Sequence, residues 1–127
     1  MKELMAIIRQ NRMNETKAAL AEVGIGSFHA RKVLGRGKGN VDYRVLKGAE
    51  EGVDEAIAQL GQGPRLIPKR MLSIMVLDEQ IPVALGAIMK VNSRGNAGDG
   101  KIFVLPILDT VRVRNGDRDV VALTEDI

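Results

Sequence analysis

The residues best suited to chemistry in this 127-residue chain are concentrated between Gly95 and Arg114. The run Gly95-Asn96-Ala97-Gly98-Asp99-Gly100-Lys101 is rich in glycine and ends in a lysine. Glycines let backbone N–H groups approach phosphate oxygens closely, and a lysine adds a point charge. The spacing is not that of a Walker loop, and no Ser or Thr follows the lysine. Taken alone, the run reads more readily as a tight turn into a strand. Arg112 and Arg114 shift that balance. On a short strand over Val111 to Arg114 both side chains would share one face. Two convergent guanidiniums can grip a polyphosphate bidentately. An isolated Arg-x-Arg pair is usually a solvated edge, but beside the glycine run and Lys101 it points to a phosphate-bearing ligand. Phosphoryl transfer is a weaker reading. Asp99 is the only acid in the glycine run, and that chemistry needs positioned metal and an oriented nucleophile.

Composition narrows the alternatives. There is no cysteine and one histidine, His29, so disulfides, thiolate metal sites and multi-histidine centres are excluded. Nineteen basic residues against sixteen acidic give a net charge of +3, too small an excess to argue for nucleic-acid binding. The aromatic residues are Phe28, Tyr43 and Phe103, with no tryptophan, which leaves no stacking platform for bases. At 45% hydrophobic and 28% charged residues, the chain can build one core, and its length suits one domain. No apolar run reaches the ~20 residues of a membrane span. Met1-Lys2-Glu3 does not open a signal peptide, so a cytoplasmic protein is expected.

The elements that must position these residues follow from periodicity. Lys2 to Arg9 reads as a buried strand. Thr16, Ala19, Leu20 and Val23 fall at i, i+3, i+4 and i+7, predicting a helix with Asn14 as its N-cap and Gly24 as its stop. Phe28 to Leu34 and Arg70 to Leu77 read as second and third strands. Ala84, Ala87, Ile88 and Val91 predict a second helix with Pro82 in its first turn. Lys101 to Ile107 is a fourth strand and Val111 to Arg114 a short fifth, with a polar, frayed tail over 117–127.

Two β-α-β halves predict an α+β, ferredoxin-like βαββαβ split fold in a single domain. Its core would be residues 1–35 and 69–114. Both helices would lie on one face of an antiparallel sheet. Met71, Leu72, Ile74 and Met75 exceed what two short helices can cover, so an oligomer is expected. The segment 36–68 between the halves reads as a long mobile loop. Arg36, Lys38, Arg44 and Lys47 come first, with Glu50, Glu51, Asp54 and Glu55 after them, and Val53, Ala56, Ile57 and Leu60 form one short helical stripe.

Gly98-Asp99-Gly100-Lys101-Ile102-Phe103-Val104-Leu105-Pro106, followed by Val111-Arg112-Val113-Arg114, resembles the signature of the PII signal-transduction family. So does Lys47-Gly48-Ala49-Glu50, while Leu20-Ala21-Glu22-Val23-Gly24-Ile25 is similar to the family's first helix and turn. The likeness covers residues 1 to about 118. It implies homotrimers, or trimers mixed with a paralogue, of ferredoxin-like subunits. It further implies ATP or ADP bound in clefts between subunits, 2-oxoglutarate bound with Mg-ATP, and a loop that touches the target. It implies no catalytic residue and no protein metal ligand.

Position by position, the resemblance implies that Gly98, Asp99, Gly100 and Lys101 form the phosphate-binding loop and that Arg112 and Arg114 clamp the phosphates. It implies that Ile7 and Gly35 line the nucleotide. His29 stands where the family often has a hydroxyl residue near the base; a structural histidine is an equal alternative. Lys69 matches the lysine that pairs with a 2-oxoglutarate carboxylate, with Gly37 and Lys38 nearby. Tyr43, Glu50, Glu51, Val53 and Ile57 would meet the target.

The departures carry information too. Glu51 replaces the tyrosine that many members nucleotidylate, so that modification is not expected. Gly35-Arg36-Gly37-Lys38-Gly39 is shorter than the family's usual stretch and lacks the glutamine that helps hold Mg and 2-oxoglutarate, and Arg94 stands where a threonine is common. Leu60 to Arg70, with Gly35 to Gly39, resembles the second of two PII-like proteins encoded beside nitrogenase. That likeness implies direct binding to nitrogenase, relieved by 2-oxoglutarate. Three alternatives remain from the sequence. One is a PII-like trimer sensing another small anion. Another is a regulator of a transporter or other nitrogen-assimilation enzyme, and the third is a weak nucleotide hydrolase.

Overall fold

The structure, a computed structural model, describes residues 1–37 and 66–123. Strand β1 (Lys2–Arg9) is followed by a 3₁₀ turn over Gln10–Arg12 and helix α1 (Met13–Glu22). Strands β2 (His29–Gly35) and β3 (Ile67–Val76) come next, then a second 3₁₀ turn over Asp78–Gln80, helix α2 (Ile81–Asn92), strand β4 (Lys101–Pro106) and a short helix α3 (Asp119–Leu123). The four strands form one sheet in the order β2-β3-β1-β4, every neighbouring pair antiparallel. Each β-α-β half skips one strand position, which is the interleaving of the ferredoxin-like split fold.

Alternation along the strands decides which face is dry. Leu4, Ala6 and Ile8 of β1 and Leu72, Ile74 and Val76 of β3 are buried. They meet Leu20 of α1 and Ala84, Ala87 and Ile88 of α2 in one core cluster. The helices are tied to each other by a buried polar contact. The Asn92 amide donates to the Thr16 hydroxyl (3.0 Å), which donates to the Arg12 carbonyl (2.7 Å). The opposite face carries Met5, Ile7, Met71, Met75, Phe103 and Leu105, with Met75 39% and Phe103 47% exposed. No described helix is long and apolar enough to cross a membrane.

Several expectations change. Leu72 and Ile74 are fully buried under the helices; only Met71 and Met75 of that group lie on the open face, because residues of opposite parity on one strand cannot share a face. Val111 to Arg114 is not a strand. Val111 makes one isolated bridge to Arg118, and the chain turns back on itself, with the Arg112 N–H donating to the Asp117 carbonyl and the Gly116 N–H to the Arg112 carbonyl (both 2.7 Å). Asn115-Gly116, with Gly116 at φ 78°, is a strong turn signal, and it reverses the chain before a strand can form. The tail does not fray at Asp117. It folds into α3 with Ala122 buried. Asn14 lies inside α1, whose N-cap is Arg12. Val23 is the residue after the helix and is 40% exposed.

Candidate functional site

The glycine run 94–100 is moulded around one carboxylate. Asp99 Oδ2 accepts the backbone N–H groups of Arg94 (2.8 Å) and Asn96 (3.3 Å). Asp99 Oδ1 accepts Nη1 of Arg9 at 2.6 Å, and Arg9 Nη2 donates to the Ala97 carbonyl at 3.0 Å. Partial burial would raise the carboxyl's pKa, but the Arg94 N–H and the Arg9 guanidinium outweigh it and hold the group below its ordinary value. Lys69, the register partner of Arg9 on β3, donates Nζ to the Gly98 carbonyl at 2.8 Å. The ends of the two central strands therefore both hold this loop.

Gly100 has to be glycine. Its φ is 114°, and a Cβ would drive into the Ile7 carbonyl. That close approach sets Lys101 opposite Ile7 at the start of β4. Ile7, Asp99, Gly100 and Lys101 line one cleft of about 410 Å³, floored by Ile8 and Ile88.

The arginine pair lies elsewhere. Arg112 and Arg114 line a cleft of about 820 Å³ with His29, Phe28, Ser73 and Met75. Arg112 Nη1 donates to Asp117 Oδ2 (2.9 Å) and Nη2 to the Val121 carbonyl (2.6 Å). It locks the turn and seats α3. The Arg118–Asp109 ion pair closes the same turn and holds the Asp109 carboxyl below its usual range.

The two clefts sit at opposite edges of the sheet. His29 is on β2 and Lys101 on β4, with β3 and β1 between them. Three strand spacings separate these two backbone positions by roughly 14 Å. Gly35 ends β2 opposite Ile67, and Gly37 follows it. Beside them a hollow of about 430 Å³ is lined by Gln10, Lys32, Leu34, Pro68 and Lys69. Lys38, Tyr43, Glu50, Glu51, Val53 and Ile57 fall outside the described residues.

Sequence reasoning overlooked Arg9 and Asp117. Arg9 read as the charged end of an apolar strand; its partner is 90 residues away, and no local pattern links them. Asp117 was within reach, because an acid shortly after Asn-Gly is placed to meet an arginine before the turn.

The family model for the nitrogen regulatory protein P-II matches residues 1–117. A "nitrogen fixation nifHD region GlnB-like protein 2" of Methanothermobacter marburgensis is 44% identical over 125 residues, covering 97% of this chain and all of the relative. A protein of the same description from Methanococcus maripaludis is 45% identical over 123 residues, with 97% and 100% coverage. The nitrogen regulatory protein P-II of Klebsiella oxytoca is 32% identical over 123 residues with the same coverage. A family model over residues 1–117 and relatives 44–45% identical along nearly the whole chain agree, and the chain belongs to the nitrogen regulatory protein P-II family.

Proposed function

We propose that the protein is a non-enzymatic cytoplasmic sensor that binds ATP or ADP between copies of itself, responds to 2-oxoglutarate, and controls a target enzyme by direct contact. The observation that carries this reading is the placement of the two cationic half-sites on opposite edges of one sheet. Lys101 and the glycine run of one copy would supply the first half, and Arg112, Arg114 and His29 of the next the second. The open sheet face with Met75 and Phe103 gives the copies an apolar surface on which to meet, as a trimer of one chain or with a paralogue.

Lys69 is the proposed 2-oxoglutarate ligand, with Gly37 and Lys38. Lys69 also donates to the Gly98 carbonyl, so a carboxylate arriving at its ammonium would touch the nucleotide loop through the same side chain. Its effect on the target is a population shift, favouring whichever arrangement of 36–68 binds it better. In this reading Tyr43, Glu50, Glu51, Val53 and Ile57 meet the target. The relatives described as belonging to a nitrogen-fixation region support dinitrogenase in that role. Both Asp99 oxygens are engaged by protein donors, which disfavours hydrolysis. If magnesium accompanies ATP and 2-oxoglutarate, phosphate oxygens would supply part of its oxygen ligands.

Calorimetric titration with ATP, then 2-oxoglutarate, tests the reading. Tight ATP binding and 2-oxoglutarate binding that requires ATP are expected. No heat with either nucleotide would refute it.

A further inference from the structure

Arg9 closes β1 with a side chain only 1% exposed, although it is permanently charged. Arginine is buried this completely only where its donors are met. Here they are met by the glycine loop, through the Asp99 carboxylate and the Ala97 carbonyl. Two consequences follow for an anion arriving at that loop.

The first is orientation. A trans peptide points its C=O and N–H in opposite directions, and the described chain has no cis peptide. Holding the Ala97 carbonyl against Arg9 therefore turns the Gly98 N–H to the far side. Gly98 is exposed, so that N–H is offered outward, where an anionic oxygen can take it.

The second is charge. A carboxylate at the heart of a loop that receives phosphates would repel them. Arg9 sits against Asp99 from the protein side and cancels that charge without occupying the cleft. The same carboxylate can then gather the Arg94 and Asn96 N–H groups at no electrostatic cost to the ligand.

We propose that Arg9 is a positioning residue of the nucleotide site: it acts through Asp99 and the Ala97 carbonyl to present the Gly98 N–H and to neutralise the loop. This rests on the nucleotide reading given above. The test is ADP titration of the full-length protein against pH, for the wild type and for Arg9→Met, which keeps the apolar stem, at temperatures well below each melting point. Arg9→Met should bind ADP at least about tenfold more weakly near neutral pH. Its affinity relative to wild type should recover as the pH falls and Asp99 takes a proton. The Gly98 amide resonance should move in the same variant, and Arg9→Lys should restore part of the affinity. If Arg9→Met does not fold, Arg9→Gln, which keeps a donor but no charge, reads the same quantities. Wild-type affinity in the variant, or a loss that is identical at every pH, overturns the role of Arg9 alone. A wild-type protein that binds neither ADP nor ATP overturns the nucleotide reading itself, and this role with it.

Discussion

The glycine loop 94–100 and the C-terminal turn 111–118 each present cations to a cleft, but they are built differently. The loop is held from a distance, by Arg9 and Lys69 at the ends of the two central strands. The turn is held by its own neighbours, through Arg112 to Asp117 and Val121 and through Arg118 to Asp109. The loop is therefore expected to share the stability of the sheet, and the turn to open more readily than the sheet.

The largest expected effect comes from breaking the loop. Asp99→Ala takes from the buried Arg9 guanidinium the carboxylate that meets it at 2.6 Å, which should cost up to about 3–5 kcal/mol and appear in denaturant unfolding as a lower midpoint. Gly100→Ala should cost about 3 kcal/mol, since a left-handed φ and a backbone clash coincide. The acid limb of stability should report the same contact. The Asp99 carboxyl lies below its ordinary value of 3.8 in the folded protein, so its contribution is complete above that value and is lost as the pH falls through the folded one. Asp99→Asn should flatten that part of the stability–pH curve.

The turn should respond differently. Asp117→Ala removes one of the bonds that Arg112 makes across the turn, at a cost of about 1 kcal/mol, and hydrogen exchange should rise in 111–121 while the sheet amides stay protected. Arg114→Ala should weaken ATP binding about ten- to a hundredfold while the sheet stays folded. Equal loss of stability in Asp99→Ala and Asp117→Ala would remove the distinction between the two regions.

The same distinction governs what the sequence could reveal. β1 is legible to the residue because Lys2 to Arg9 is a short apolar run bounded by charged residues, and α2 because Ala84, Ala87 and Ile88 repeat at the helical period. The glycine loop and Lys101 are legible as a phosphate-binding composition. What holds the loop is not, because Arg9 and Asp99 meet only through the sheet register. The turn fails for the opposite reason. Val111-Arg112-Val113-Arg114 has a strand's alternation, but Asn115-Gly116 overrides it, and the two arginines reach one cleft from a turn rather than from a strand face. The apolar content of Met71 to Met75 points to an open sheet face, but strand parity gives that face only Met71 and Met75 and sends Leu72 and Ile74 to the core.

The central claim is that one nucleotide site takes its two halves from two copies. Subunit exchange between a Lys101→Ala protein and an Arg114→Ala protein tests it most directly, with ATP affinity measured before and after mixing. Each variant alone has every site damaged. After random exchange about a quarter of the contacts between copies should pair an intact glycine loop with an intact arginine turn, because the closed ring repeats the same interface. The account predicts that this fraction of sites regains wild-type ATP affinity. Exchanged mixtures that bind no better than the separate variants would place both halves in one chain and contradict it.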